Sequence, residues 1–103
     1  MKVAVTSRGN DPHSLIDPRY GRCAWFAVYD TESQALDFVE NTARNAASGA
    51  GPAAVSVIAE QGVSTIIAGE FGPKIRQMLT ELGIHMVSVK EEKTIAQVVA
   101  DLH

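Results

Sequence analysis

The sequence predicts a single α/β domain over residues 1–103, in which helices cover a mixed five-stranded sheet. Three observations predict this fold class. A chain of 103 residues with 46% hydrophobic and 20% charged residues has the size and composition of one globular domain. Short runs of branched apolar residues alternate with apolar residues at helical spacing. Their order, β-β-β-α-β-α-β-α, is typical of a hairpin followed by α/β crossovers.

The amino-terminal part of the chain contains three of the five predicted strands. Residues 2–6 form a strand buried on both faces, because their apolar side chains are consecutive. Residues 8–22 form a long polar loop that carries glycines and prolines. Residues 25–29 and 36–39 are the next strands, and the turn residues 30–33 between them predict a hairpin.

Three helices and two strands follow, and each helix has a recognisable start. A proline starts each of the first two helices and a glycine ends it: Pro52 and Gly62, then Pro73 and Gly83. The third helix begins at Thr94, which forms a capping box with Gln97. The intervening strands are the branched runs 65–68 and 86–89. From the apolar spacing, we expect Leu79 and Val99 to be core residues on different helices.

The topology predicts a basic edge of the sheet. If only the second strand is antiparallel, the loops after the other four strands open on the edge where α/β sheets bind ligands: 7–22, 41–51, 69–72 and 90–93. Of the nine Lys and Arg residues, all but Lys2 fall in these loops or in the following first helical turn. Five carboxylates map to the opposite end: Asp30, Glu32, Glu60, Glu81 and Asp101. The alternative is that Lys and Arg occur in these loops only because loops are polar and exposed to solvent, since five carboxylates also fall on the basic edge.

Two glycine-containing loops lead directly into helix starts on this edge. Ser48, Gly49 and Gly51 precede the first helix, and Gly69 and Gly72 precede the second. Free N–H groups and partial positive charge at helix starts could cradle an anion. The alternative is that these residues only form turns. Residues 49–54 also fit G-x-G-x-x-A, a weak nucleotide-binding pattern.

The one cysteine has two possible roles. Cys23 borders a loop with Arg19 and Arg22, which would lower its pKa and favour a thiolate suited to a soft metal. Alternatively it is a small core residue at a strand start. His13 is a possible second ligand, but no ligand pair at fixed spacing suggests a structural zinc site.

Composition excludes several functional classes. A lone cysteine forms no internal disulfide, so a reducing cytoplasm is expected. Residues 45–59 are too short and interrupted to span a membrane, and no leader pattern is seen. A net charge of −3 argues against general nucleic-acid binding.

Several segments resemble a known family, the dinitrogenase iron–molybdenum cofactor biosynthesis accessory proteins. The most specific is the run Arg-Tyr-Gly-Arg-Cys at residues 19–23 before an aromatic strand. Others are residues 1–7, 17–18, 48–51, 62–63, 72–73 and 83–84, with Asn41, Gly69 and the helix started by Thr94. The resemblance covers essentially the whole chain. The family includes the X and Y accessory proteins, the C-terminal domain of the B protein and small members similar to the Orange Protein.

The resemblance implies a ribonuclease-H-like, three-layer α/β/α fold and a carrier rather than an enzyme. It implies non-covalent binding of an anionic metal–sulfur cluster, of iron–molybdenum precursor or molybdenum–copper thiometallate type, with a cluster-synthesis or acceptor protein as partner. The candidate cofactor-binding residues are Arg19, Tyr20, Gly21, Arg22, Cys23, Ser48, Gly49, Gly51, Gly69 and Gly72. Some members have histidine where this chain has Tyr20, which leaves Cys23 as the candidate metal ligand. Two other functions stay open: a nucleotide- or phosphate-binding regulatory module using the glycine loops, and a ligand-free protein-interaction domain.

Overall fold

The computed structural model describes residues 1–45 and 49–102, whose strands form one mixed five-stranded sheet. The strands are β1 (Lys2–Ser7), β2 (Trp25–Asp30), β3 (Leu36–Glu40), β4 (Thr65–Ala68) and β5 (His85–Ser88). Their spatial order is β3-β2-β1-β4-β5. β2 pairs antiparallel with both β1 and β3, whereas β1–β4 and β4–β5 are parallel. The four remaining strands therefore share one direction, and the predicted fold class is confirmed.

The helices lie on both faces of the sheet and create two cores. They are α1 (Ala50–Glu60), α2 (Pro73–Glu81) and α3 (Ile95–Ala100). Because successive strand residues point to opposite faces, Val3 and Val5 pack with the α3 residues Ile95 and Val98. Ala4 belongs to the other core, together with buried residues of α1 and α2. The result is three layers, a pattern compatible with a ribonuclease-H-like motif.

The predicted helix signals are largely confirmed. Thr94 Oγ1 accepts a hydrogen bond from the Gln97 N–H at 3.1 Å, and the Thr94 N–H donates to Gln97 Oε1 at 2.8 Å, which completes the capping box. Leu79 is fully buried, as expected. Val99 is only half-buried, because Ile95 and Val98 define the centre of the buried stripe and Val99 lies at its margin.

Helix α1 starts earlier than its proline suggested. Gly49 caps it with a φ of 73°, and Pro52 is the third helical residue, where a missing N–H removes no helical hydrogen bond. The longest of the three helices, α1, has 11 residues. In the described part of the chain, no helix has the length and apolar character needed to cross a bilayer.

One charge lies elsewhere than expected. Asp101 was assigned to the end of the molecule opposite the basic edge, yet its carboxylate is 2.8 Å from Lys93 Nζ. The reason is the length of α3, which has six residues and spans only about 9 Å. A lysine before this helix therefore reaches the residue that caps its end.

The long loop between β1 and β2 is extensively hydrogen-bonded along the edge of the sheet. Isolated bridges join it to the end of β1, to the second residue after β4 and to the start of α3: Ser7–Ile16, Arg19–Glu70 and Leu15–Thr94. The Asp17 N–H donates to the Thr6 carbonyl at 2.9 Å, and Thr6 Oγ1 donates to the Asp17 carbonyl at 2.6 Å. These contacts hold the loop against the strand that precedes it and against two elements that are distant in sequence, β4 and α3.

Candidate functional site

A cleft of about 600 Å³ opens where this loop meets the segment that follows β3. Its described lining consists of Arg8, Asp17, Pro18, Arg19, Arg22, Ala24, Arg44 and Asn45. The four arginines are all exposed, and the carboxylate of Asp17 is the one acidic group in this lining. Four of the eight cations predicted on the basic edge therefore line one cleft, whose described lining has a net positive charge suited to an anion.

The guanidinium of Arg19 is held by a carboxylate of the cleft wall, that of Asp17. Its Nε and Nη2 atoms donate to the two carboxylate oxygens of Asp17, each at 3.3 Å. The Arg19 N–H also donates to Asp17 Oδ1 at 2.9 Å. The side chain of Asp17 is 4% exposed, whereas that of Arg19 is 68% exposed. A buried carboxylate thus holds a cation that faces solvent, and this contact raises the pKa of Arg19 above its usual range.

The other side of the cleft is joined to the segment after β3. Arg22 Nη1 donates to the Arg44 carbonyl at 2.8 Å. Beneath this contact the buried amide of Asn41 donates to the Cys23 carbonyl at 2.9 Å and to the Gly21 carbonyl at 3.2 Å. Asn41 therefore fixes the backbone on which Arg22 is carried, which gives a structural reason for its place in the family resemblance.

Cys23 lies beneath the cleft and not in it. It is fully buried in the core with Phe26, and its thiol donates to the Tyr20 carbonyl at 3.4 Å. Burial, together with the nearby charge of Asp17, raises the pKa of the thiol to about 12, although a hydrogen bond from Asn41 acts in the opposite direction. The expectation that nearby arginines lower this pKa is wrong, because the sulfur points into the apolar core while the arginines point outward.

This burial predicts an unreactive thiol. At pH 8 the folded protein should react with an aromatic disulfide reagent far more slowly than the urea-unfolded chain, since the thiolate is the nucleophile. Because folding raises the pKa from 9.0 to about 12, this group's contribution to stability is full below pH 9 and is lost as the pH rises toward 12. A Cys23→Ser variant should lack that alkaline loss. Complete labelling of the folded protein within the mixing time would contradict the prediction.

Tyr20 is also a core residue. It is 4% exposed, and its ring lies 6.0 Å from that of Phe26 and 5.8 Å from that of Phe71, between centroids. Its hydroxyl finds no hydrogen-bond partner among the described residues, and burial raises its pKa. In the described conformation, Tyr20 in the middle of the Arg-Tyr-Gly-Arg-Cys run therefore anchors the loop in the core. The two arginines of the run, Arg19 and Arg22, line the cleft.

The structure gives three of the predicted glycines a role in close packing. A Cβ on Gly21 would lie 3.0 Å from the Gly51 Cα, one on Gly51 would lie 2.7 Å from Ile75 Cδ1, and one on Gly69 would lie 2.7 Å from the Pro18 Cα. These contacts bring the loop against the start of α1 and the end of β4. Gly49 and Gly72 are exposed helix caps with open space around them. Of the lining residues that the structure describes, none is a glycine, and Ser48 falls outside the described residues.

Several cleft residues were absent from the predicted site. Arg8 and Arg44 had been counted in the basic edge, but no motif marked them. Asp17 is one of the five carboxylates expected on the basic edge and belongs to the family resemblance, but it is not among the predicted site residues. The one signal that could have found the arginines was their position just after β1 and just after β3, the two loop ends that meet at the cleft.

Two smaller cavities adjoin the cleft. One, of about 310 Å³, shares Ala24, Arg44 and Asn45 with it and is also lined by the only tryptophan, Trp25. The other, of about 220 Å³, shares Arg8 and Pro18 and extends to Lys90. Within residues 1–45 and 49–102, no group of three His, Cys, Asp or Glu side chains is placed to hold a metal ion. The cationic side chains that line the cleft itself are guanidinium groups, which can bind an anion through several N–H donors.

Comparisons with known proteins identify the family and agree with the fold. Residues 1–103 match the family described as dinitrogenase iron–molybdenum cofactor. An uncharacterized protein of Methanocaldococcus jannaschii is 36% identical over 87 residues, which cover 82% of this chain and 70% of that protein. The apo form of the orange protein from Desulfovibrio gigas has a TM-score of 0.92 and 35% identity, over 98% of this chain and 85% of that one. A putative NifB protein from Thermotoga has a TM-score of 0.82 and 34% identity, over 97% and 84% of the two chains.

Proposed function

Because the chain belongs to the dinitrogenase iron–molybdenum cofactor family, we propose that it binds and carries an anionic metal–sulfur cluster or thiometallate in the arginine cleft. The observation that carries the proposal is the convergence of Arg8, Arg19, Arg22 and Arg44 on one cleft. The proposed role is that of a carrier in cofactor assembly, which takes its cargo from one protein and yields it to another. It includes no catalytic step.

The electrostatics of the cleft suit reversible binding. A single contact between unit charges about 4 Å apart is worth about 1 kcal/mol in water. One exposed arginine would therefore hold an anion weakly, whereas four around one cleft can hold it together. The volume of the cleft, about 600 Å³, falls in the usual range for small-molecule sites. Binding made of exposed charge pairs should weaken with salt, since charges are screened over about 8 Å at physiological ionic strength.

Cys23 is not assigned a bond to the cargo in this proposal. Its sulfur is buried and its pKa is raised, so a metal–sulfur bond would require the loop to open and the thiol to lose its proton. The arginines need no such rearrangement. We therefore propose that recognition is electrostatic, and that a Cys23→Ser variant retains the cargo about as tightly as the parent.

The proposal predicts a charge-specific loss of binding. Tetrathiomolybdate, with and without copper(I), is titrated anaerobically into the protein while the fluorescence of Trp25 and the metal–sulfur absorption are followed. The double variant Arg19→Gln/Arg22→Gln should bind at least about tenfold more weakly at low salt, from the loss of two charge contacts. The matched control is Lys74→Gln/Arg76→Gln, which removes two positive charges from α2 outside the described cleft lining and should bind like the parent.

Three outcomes would contradict the proposal. One is absence of binding to the parent protein, and another is an equal loss in the two double variants. The third is displacement of the thiometallate by micromolar ADP or inorganic phosphate, with chemical-shift changes confined to residues 49–51 and 69–72, which would support the nucleotide- or phosphate-binding alternative. If neither thiometallate nor nucleotide binds, a protein-interaction domain is left.

A further inference from the structure

A buried carboxylate in the wall of a cationic cleft needs an explanation. Asp17 is 3% exposed, and its negative charge opposes the binding of any anion in the cleft that it lines. Asp17 is not a side chain that only fills space in the core, because both of its carboxylate oxygens accept hydrogen bonds. All three of these bonds come from Arg19. The position of Asp17 is therefore explained by what it does to that one arginine.

The contact between the two side chains leaves the outer edge of the guanidinium available. An arginine has five N–H donors, one on Nε and two on each Nη atom. The side-on contact with Asp17 uses the Nε donor and one Nη2 donor. Within residues 1–45 and 49–102, the two Nη1 donors and the second Nη2 donor have no hydrogen-bond partner, and one donor from each of these nitrogens can bind an anion in a bidentate manner.

The backbone that carries this carboxylate is hydrogen-bonded to the ends of two strands. Asp17 exchanges two hydrogen bonds with Thr6 at the end of β1, through its N–H and its carbonyl. The next residue, Pro18, accepts a bond from the Glu70 N–H at 3.0 Å, just beyond β4. The carboxylate is thus mounted on the ends of two central strands. Arg19, which is exposed, receives a fixed direction from a buried partner.

We propose that Asp17 is a positioning residue, which holds Arg19 with its free fork directed into the cleft before the anion arrives. The inference rests on the proposed function, because it concerns the same cleft. An arginine that is already ordered loses less side-chain entropy on binding than a mobile one. The gain from this ordering exceeds the repulsion between Asp17 and the anion.

Positioning Arg19 strengthens anion binding, whereas the negative charge of Asp17 weakens it. A single substitution can therefore distinguish the two effects. Asp17→Asn is close in size and keeps an oxygen that can accept from the Arg19 N–H, but it loses the charge and the two-point grip on the guanidinium. If Asp17 positions Arg19, this change weakens the binding of tetrathiomolybdate by roughly five- to tenfold. If Asp17 acts only as a repelling charge, the same change strengthens binding.

Measuring the effect of Asp17→Asn in a second protein, one that lacks the Arg19 guanidinium, distinguishes the positioning of Arg19 from a general structural effect. In an Arg19→Met protein there is no guanidinium to position, so Asp17→Asn should strengthen binding there, reversing its sign. The control is Asp11→Asn, an exposed aspartate of the same loop outside the described cleft lining, which should have the same small effect in both backgrounds. Strengthened binding in both backgrounds, or weakened binding in both, would overturn the proposal.

A measurement without ligand keeps the inference testable on its own. In the parent protein, the Arg19 Nε–H should exchange slowly with solvent and give a distinct NMR signal, because Asp17 accepts its hydrogen bond. In folded Asp17→Asn, verified by thermal unfolding, that signal should merge with those of mobile arginines. A signal already averaged in the parent overturns the positioning role even if the cleft binds anions. A parent that shows the signal but binds no thiometallate contradicts the proposed function instead.

Discussion

A Leu79→Ala variant should lose about 2–5 kcal/mol of its free energy of unfolding. Leu79 is fully buried in the larger core, where α2 packs with residues of α1 and the sheet. Truncating it removes buried apolar contacts and leaves a cavity that the rigid sheet cannot close. For a small domain with a total stability of about 5–15 kcal/mol, this is a large fraction.

Urea unfolding followed by Trp25 fluorescence would measure the effect as a shift in midpoint at unchanged slope. The control is Leu82→Ala, since Leu82 caps the same helix but is 56% exposed. It should cost less than about 0.5 kcal/mol. A loss below about 0.5 kcal/mol for Leu79→Ala would contradict the packing of α2.

Gly69→Ala should destabilise the protein and remove anion binding together. The added Cβ would lie 2.7 Å from the Cα and 3.0 Å from the carbonyl oxygen of Pro18, which are backbone atoms and cannot rotate away. The loop must therefore lift from β4, which breaks the hydrogen bond from Glu70 to Pro18 and displaces Asp17 and Arg19. We expect a stability loss of about 1–3 kcal/mol, as for an overpacked site.

Gly72→Ala is the matched control for this prediction. Gly72 belongs to the same glycine loop, but a Cβ there meets nothing within 4 Å, and its φ of −67° suits any residue. This variant should keep both stability and thiometallate binding. Thermal unfolding and the fluorescence titration measure the two properties separately. If Gly69→Ala bound as tightly as Gly72→Ala, the close contact with Pro18 would not shape the cleft.

The elements of the fold were predictable because their signals are local. The capping box at Thr94 and the prolines near the starts of α1 and α2 depend on neighbours within a few residues. Boundaries shifted where a distant contact intervened. For example, β5 starts at His85 because its N–H donates to the Ser64 carbonyl beside β4, which no local pattern shows.

The site was predictable as an edge but not as a set of side chains. Strand direction alone places four arginines at the same edge of the sheet: Arg8, Arg19, Arg22 and Arg44. The direction in which a side chain points is a different matter. Cys23 is adjacent to Arg22 in sequence, yet Cys23 is buried in the core and Arg22 is exposed, and both lie in the turn before β2, where no strand alternation applies. Likewise, Gly69 looks like part of a helix cap until its contact with Pro18 is known.

The hydrogen-bonded loop between β1 and β2 has a consequence for how the protein folds. Its partners at Glu70 and Thr94 lie far along the chain, so their pairing closes long segments and costs chain entropy before any contact compensates. Helices and the hairpin can form earlier from neighbouring residues. We therefore expect the cleft to be among the last parts of the molecule to assemble, so that a partly folded chain, including one still emerging from the ribosome, lacks the complete cleft in which we propose that the anion binds.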